Sequence, residues 1–164
     1  MKKHIETINI LFCGTGGQGV LSAAEVCGVA AMRDGWHVKK SEVHGMAQRG
    51  GSVESHLRIG TNVCSPLIEP GQADYLVCFH EGEGKRLRYF LRKNGFDFVP
   101  LLPKASQLPD PRFANTFFLG ILAAFLPISQ QMWFDALSSV IAKRIEENKA
   151  VFNRGFEVGK GLTK

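Results

Sequence analysis

Apolar positions along the chain fall into runs whose spacing decides which element each can form. Residues 8–13 are apolar apart from Asn9 and follow a polar leader, as in a buried parallel strand. Residues 19–34 carry Val20, Leu21, Ala24, Cys27, Gly28 and Ala31 on one stripe. That pattern predicts a helix lying close on a sheet, with Gly35 as its C′ residue. Residues 36–40 supply a second short strand and complete a Rossmann-like β-α-β start. Residues 52–59 alternate: Val53, Ser55, Leu57 and Ile59 point one way, and Ser52, Glu54, His56 and Arg58 the other. A strand with one polar face is an edge strand, an antiparallel strand, or one whose polar face meets a partner, so the sheet is expected to be mixed.

Residues 74–79 read as another buried strand. The basic segment 81–93 reads as a helix whose start is loosened by Gly82 and Gly84 and which Asn94 and Gly95 close. Residues 96–102 are expected to be a further strand, stopped by Pro100 and Pro103, and residues 103–111 a proline-rich loop. Residues 115–126 are apolar all round and predict a buried helix. The last helix is expected to begin at Ser129 as N-cap and to run to about Arg154, where Gly155 stops it. Its stripe is Trp133, Leu137, Val140, Ile141, Ile145 and Phe152. Asn148 lies on the same stripe; if buried its amide needs partners and pins a loop, and if exposed it marks a bend. The sum is one α/β domain over residues 1–164, a three-layer α/β/α arrangement around a mostly parallel, mixed sheet.

Composition removes several function classes. With 164 residues, 45% hydrophobic and 21% charged, the chain is long enough for one sizeable core and too apolar for disorder. The net charge of +5 permits an anionic partner. The densest basic group, Lys85, Arg86, Arg88, Arg92 and Lys93, has helical spacing and reads as a solvated face rather than a nucleic-acid footprint. None of the four cysteines, Cys13, Cys27, Cys64 and Cys78, lies within metal-ligand spacing of another, so no metal site is expected. Cys13 and Cys78 end apolar runs and read as small buried hydrophobes, which suits a reduced, cytoplasmic protein. Met1-Lys2-Lys3 has the look of a signal-peptide opening, but Glu6 and the glycine-rich turn cut the apolar region short. The apolar run at residues 117–128 contains Gly120 and Pro127 and is shorter than the roughly 20 residues of a membrane span.

Two segments carry candidate chemistry. Gly14, Gly16 and Gly19 satisfy G-x-G-x-x-G after a strand and at the opening of a helix, where backbone amides favour negative charge. As a dinucleotide site this loop wants an acidic residue at the end of the second strand, yet that region reads Lys39-Lys40-Ser41-Glu42. The other reading is a turn whose glycines permit close packing, of its own helix or of a partner. Residues 42–52 place Glu42, His44, Gln48 and Arg49 among Gly45, Gly50 and Gly51. His44 is a candidate proton donor or acceptor, and Glu42 and Arg49 either pair with each other or fix an anion. If this segment lies at the C-terminal edge of the sheet beside the first loop, the two make one surface. Signatures of a self-sufficient active site are missing: the sequence has no G-x-S-x-G, no P-loop, no H-E-x-x-H, and no Gly-Asp-Gly motif for thiamine diphosphate and magnesium.

At these residues the chain resembles the gamma subunit or domain of 2-oxoacid:ferredoxin oxidoreductases, and within that family most resembles the small beta subunit of the indolepyruvate enzyme. The resemblance rests on GTGGQGVLSAAEV, SEVHGMAQRGGSVESHLRIG, ADYLV, NTFFLGILA and IEENKAVFNRGFEVGKG. It implies a subunit of an enzyme that oxidatively decarboxylates an aryl 2-oxoacid, makes an acyl-CoA, and passes electrons to ferredoxin. The resemblance further implies that this chain alone binds no cofactor. Thiamine diphosphate, Mg and [4Fe-4S] clusters would belong to a larger partner subunit, with CoA as co-substrate. By position, it marks Gly14, Gly16, Gly17, Gln18, Gly19, Glu42, Gly45 and Gln48 as a partner- or cofactor-facing surface, and His44 and Arg49 as candidate catalytic groups. The competing expectations are a free-standing nucleotide-binding oxidoreductase domain and a non-catalytic assembly module.

Overall fold

The computed structural model describes residues 6–45 and 50–164. Five strands form one sheet: β1 (Ile8–Thr15), β2 (His37–His44), β3 (Ser52–Gly60), β4 (Ala73–Cys78) and β5 (Leu91–Asp97), in the order β2-β3-β1-β4-β5. β1 pairs antiparallel with β3 and parallel with β4, β2 pairs antiparallel with β3, and β4 pairs parallel with β5. Four strands therefore share a direction and β3 alone opposes them. The sheet is mixed, as expected. The strand-helix-strand start is also present, through α1 (Val20–Arg33), which Gly35 ends with a left-handed φ of 86°. Yet β2 does not lie beside β1, because the β2–β3 hairpin brings β3 between them.

The alternation in β3 sorts its two faces. Val53, Leu57 and Ile59 join the main core, built with α1, α4 (Ala114–Ala123), α5 (Gln130–Val140) and α6 (Ile145–Leu162). The polar face is covered by the chain itself. His56 is buried edge-on to Phe90 at 5.3 Å, and its Nδ1 accepts a hydrogen bond from the Ile68 amide at 3.1 Å. The Arg58 Nε donates to Asn9 Oδ1 at 2.8 Å. Of the three readings of this strand, the antiparallel one holds, in the interior of the sheet and not at its edge. A smaller apolar cluster of Leu11, Cys13, Ile68, Leu76, Cys78, Leu87 and Phe90 fills this second face.

Three element assignments differ from the sequence expectation. The basic segment is not one helix: α2 spans only Glu81–Leu87, a 3-10 turn covers Arg88–Phe90, and Leu91 begins β5. Its charges pair locally on separate elements, Lys85 with Glu81 at 2.7 Å, Arg86 with Glu83 at 2.8 Å, and Arg92 with Asp74 at 2.8 Å. The strand expected at 96–102 ends at Asp97, and the chain turns through Val99–Leu101 into a short helix α3 (Leu102–Ser106) with a proline in its first turn.

The final helix is likewise two. α5 ends at Val140, and α6 restarts after Arg144, which alone among the described non-glycine residues has a positive φ, 54°. Asn148 holds this break: its Nδ2 donates to the carbonyls of Lys143 at 3.3 Å and Arg144 at 3.0 Å, and its Oδ1 accepts from Thr116 at 2.7 Å. The buried-amide reading of Asn148 is correct. Gly155 does not stop the helix. It sits in mid-α6, where a Cβ would overlap the Phe117 carbonyl, and Gly120 of α4 meets the Phe152 carbonyl in the same way. The glycines let two helix backbones touch.

Candidate functional site

The C-terminal ends of β1 and β2 and the start of β3 lie at one edge of the sheet, where open α/β sheets place ligands. Between them opens a cavity of 580 Å³, lined by Thr15, Gly16, Gly17 and Gly19, the first turn of α1, and His44, Gly45, Ser52 and Val53. The two sequence segments do form one surface. The Gly16 amide donates to the Gly51 carbonyl at 2.9 Å and the Gly45 amide to the Ser52 carbonyl at 2.6 Å, which ties the glycine turn to the hairpin.

The electrostatics of the cavity come from α1. Gly19 is its N-cap with φ 78°, has no side chain to cap with, and no acidic residue follows in the first turn. The first helical hydrogen bond is donated by Ala23, to Gly19. The amides of Val20, Leu21 and Ser22 therefore lie at the positive end of a helix of 14 residues, beside the cavity they line. This arrangement suits an anionic group.

His44 stands at the opposite wall, half exposed, with Nε2 3.7 Å from Glu42 Oε2. Glu42 Oε1 lies 3.2 Å from Lys40 Nζ, and Lys40 pairs with Glu25 of α1. Partial burial works against the Lys40 charge, but the Glu25 and Glu42 carboxylates outweigh it and raise its pKa. The series Glu25–Lys40–Glu42–His44 thus runs along β2 to the cavity mouth as a line of close polar contacts.

Not every candidate residue faces this space. Gly14 is buried in β1, packed on Gln18, Val20 and Phe79. Gln18 is spent on structure: its Oε1 accepts from the Thr15 amide at 2.8 Å and its Nε2 donates to the Phe79 carbonyl at 2.9 Å. Gln18 also borders a second hollow of 320 Å³ on the far side of the turn, with Gly17, Gly19 and Asn115. Gly19 packs on the Asn115 amide, which would overlap any Cβ there. Glu42 faces Lys40 and His44 and does not line the cavity. Gln48 and Arg49 lie outside the described residues, and the expected Glu42–Arg49 pair lies outside them too. Sequence reasoning missed Ser22, Ser52 and the Lys40–Glu25 link. The alternation of residues 37–44 with one acidic and one basic residue on the helix-facing side was the signal for the last of these.

Among the described residues, no group of three or more His, Cys, Asp or Glu side chains is placed to hold a metal ion. Nor do the four cysteines converge: Cys13 and Cys78 adjoin, Cys27 is buried in α1, and Cys64 is exposed. No helix among the described residues is long and apolar enough to cross a membrane.

Comparison with known proteins adds the following. A family model described as pyruvate ferredoxin/flavodoxin oxidoreductase matches residues 9–99, a stretch that includes every residue lining the 580 Å³ cavity. Over 87 residues the chain is 49% identical to the indolepyruvate oxidoreductase subunit IorB of Archaeoglobus fulgidus, covering 53% of this chain and 43% of that protein. The chain spans less than half the length of the curated IorB relatives it matches. The keto/oxoacid ferredoxin oxidoreductase gamma subunit from Geobacter sulfurreducens superposes with a TM-score of 0.73 at 24% identity, covering 94% of this chain and 99% of that one. The 2-oxoglutarate:ferredoxin oxidoreductase from Magnetococcus marinus, solved with 2-oxoglutarate, coenzyme A and succinyl-CoA bound, gives a TM-score of 0.81 at 20% identity over 99% of this chain and 32% of that one. At these identities the two structures establish a shared fold.

Proposed function

The chain belongs to the pyruvate ferredoxin/flavodoxin oxidoreductase family, and from that membership we propose that it is the small subunit of a 2-oxoacid:ferredoxin oxidoreductase acting on an arylpyruvate such as indolepyruvate. The complex converts the oxoacid and CoA into acyl-CoA and carbon dioxide and delivers two electrons, one at a time, to ferredoxin. Thiamine diphosphate with Mg, and [4Fe-4S] clusters, supply the carbanion and electron-transfer chemistry from the larger subunit. The 49% identity to an indolepyruvate oxidoreductase subunit supports the aryl substrate.

The observation that carries the proposal is the convergence of the uncapped α1 N-terminus and the Glu42-braced His44 on one cavity. In the complex the α1 amides hold an anionic group, of the partner or of CoA. His44 donates or accepts a hydrogen bond at the opposite wall, and Gly16 and Gly17 let the incoming group approach the backbone. The nucleotide-binding alternative is disfavoured by two features. β3 separates β2 from β1, moving Glu42 one strand, about 4.8 Å, farther from the turn than a ribose-binding acid needs. Glu42 is also already engaged by Lys40. Calorimetric titration of the isolated chain with NAD, NADP and FAD, set beside a viologen-reduction assay of the purified complex, tests the choice. The proposal expects no nucleotide binding, and reduction that requires both arylpyruvate and CoA. Tight nucleotide binding with no oxoacid-dependent reduction would overturn it.

A further inference from the structure

We infer that Cys13 and Cys78 form a peroxide-sensitive dithiol whose oxidation to an intrachain disulfide is felt by the glycine turn. The two residues are register partners on the parallel strands β1 and β4, point to the same face, and are both fully buried in the smaller apolar cluster. Adjacent strands lie about 4.8 Å apart, inside the Cα separation of about 4.4–6.8 Å that a disulfide spans. The Cys78 thiol also donates to the His80 carbonyl at 3.0 Å. On its other flank Cys13 has Glu54 as register partner, and the buried Oε2 of Glu54 lacks a hydrogen-bond partner. The apolar cluster therefore has a polar margin beside this pair. Cys27 lies in the main core and Cys64 on the surface, so neither competes for this pairing.

The cover over the pair is thin. α2 has 7 residues and includes both Gly82 and Gly84, each costing about 1 kcal/mol of helix propensity relative to alanine. Gly84 rests directly on the thiol, since a Cβ there would stand 3.1 Å from Cys78 Sγ. A short, glycine-weakened helix over a small cluster opens locally at low cost, and a molecule the size of hydrogen peroxide then reaches the sulfur.

The chemistry is balanced within the pair. The hydrogen bond that Cys13 donates to the Cys78 sulfur, together with burial, holds Cys13 protonated and favours the charged form of Cys78, which makes Cys78 the attacking thiolate. Its sulfur attacks one peroxide oxygen, the O–O bond breaks, hydroxide leaves, and Cys78 becomes a sulfenic acid. The Cys13 sulfur then attacks the sulfenic sulfur, the S–O bond breaks, and the proton of Cys13 departs with the oxygen as water. Two thiols and one hydrogen peroxide give one disulfide and two waters.

The bond would act on the candidate site through a short path. Cys13 immediately precedes Gly14, and its carbonyl accepts the Phe79 amide at 2.9 Å. The Phe79 carbonyl in turn holds Gln18, which clamps Thr15. The dihedral of about 90° that a disulfide demands twists the paired ends of β1 and β4, displaces this clamp and loosens residues 14–19.

The test uses the full-length chain treated with hydrogen peroxide, alkylated, and digested without reduction. The expected result is a Cys13–Cys78 linked peptide, a mass loss of about 2 Da in the intact chain, reversal by dithiothreitol, and faster amide exchange over residues 14–19 in the oxidised form. Cys64→Ser should retain all of this and Cys78→Ser should lose the link. Oxidation confined to Cys64 while Cys13 and Cys78 remain alkylatable overturns the inference. A link formed with unchanged exchange over residues 14–19 overturns the coupling to the turn. Because the isolated chain is used, failure here leaves the subunit assignment untouched.

Discussion

Placing a methyl group on Gly155 pits helix propensity against packing in a single substitution. In a helix interior, alanine is favoured over glycine by about 1 kcal/mol. At Gly155 the new Cβ would overlap the Phe117 carbonyl oxygen and stand 3.0 Å from its carbon and 3.2 Å from the Ile121 amide nitrogen, where unstrained contacts are about 3.5–4.0 Å. These obstacles are backbone atoms, so no rotamer change relieves them. α4 and α6 must instead part by roughly 1 Å, which loosens the contacts of the buried Phe117, Phe118, Ile121 and Phe152. Overpacking of this kind costs about 1–3 kcal/mol, and the rigid partner puts Gly155→Ala at or above the top of that range. After the propensity gain, a net loss of about 2 kcal/mol remains, or a Tm lower by roughly 4–8 °C for a domain of this size. Gly161, in the same helix, has nothing within 4 Å of its would-be Cβ, so Gly161→Ala should leave Tm unchanged or slightly raised. Calorimetric melts and urea midpoints of the two variants decide the matter. A Gly155→Ala chain as stable as the parent, or an equal loss in Gly161→Ala, would refute the close-packed reading of the α4–α6 contact.

Other expectations follow from polar groups. Asn148→Ala removes three hydrogen bonds and strands the Thr116 hydroxyl in the core, and should cost about 3 kcal/mol by urea denaturation. A cost below 1 kcal/mol (roughly that of one exposed bond) would show that the α5–α6 break needs no pin. Burial pushes the His56 imidazole below its usual 6.5, against the pull of Glu54. As pH falls the unfolded chain takes up that proton first, so this contribution is intact above 6.5 and lost below it, with a slope of at most about 1.4 kcal/mol per pH unit. Urea midpoints across that range should decline in the parent and flatten in His56→Gln; parallel profiles would remove His56 as the cause. Glu42→Gln releases His44 from its carboxylate and should lower oxoacid-dependent turnover of the complex by about tenfold while Tm stays within about 2 °C. Unchanged turnover would take His44 out of the site.

Much of the fold was legible because its signals are local. The apolar run of β1, the small-residue stripe of α1 and the glycine at its end each encode one element within a few turns of chain. The alternation of β3 announced a polar face, but its place between β2 and β1 depends on which strands pair, a non-local choice that no periodicity records. The stripe from Trp133 to Phe152 misled because Ile141 and Ile145 keep helical register across a break set by Arg144 and held by Asn148. The basic residues 85–93 misled likewise, since helical spacing of charges does not exclude a strand start at Leu91. At the site, the meeting of the glycine turn with the hairpin was legible from the rule that ligands lie at strand C-termini. The internal use of Gln18 was not, because a glutamine beside glycines serves a ligand and a turn equally well.

The most direct measurement is an anaerobic purification of the tagged chain from its source cells, with the eluate assayed for arylpyruvate- and CoA-dependent reduction of ferredoxin. The account predicts a larger, brown, thiamine-containing subunit that co-elutes with that activity. A lone, colourless chain without it would contradict the subunit assignment.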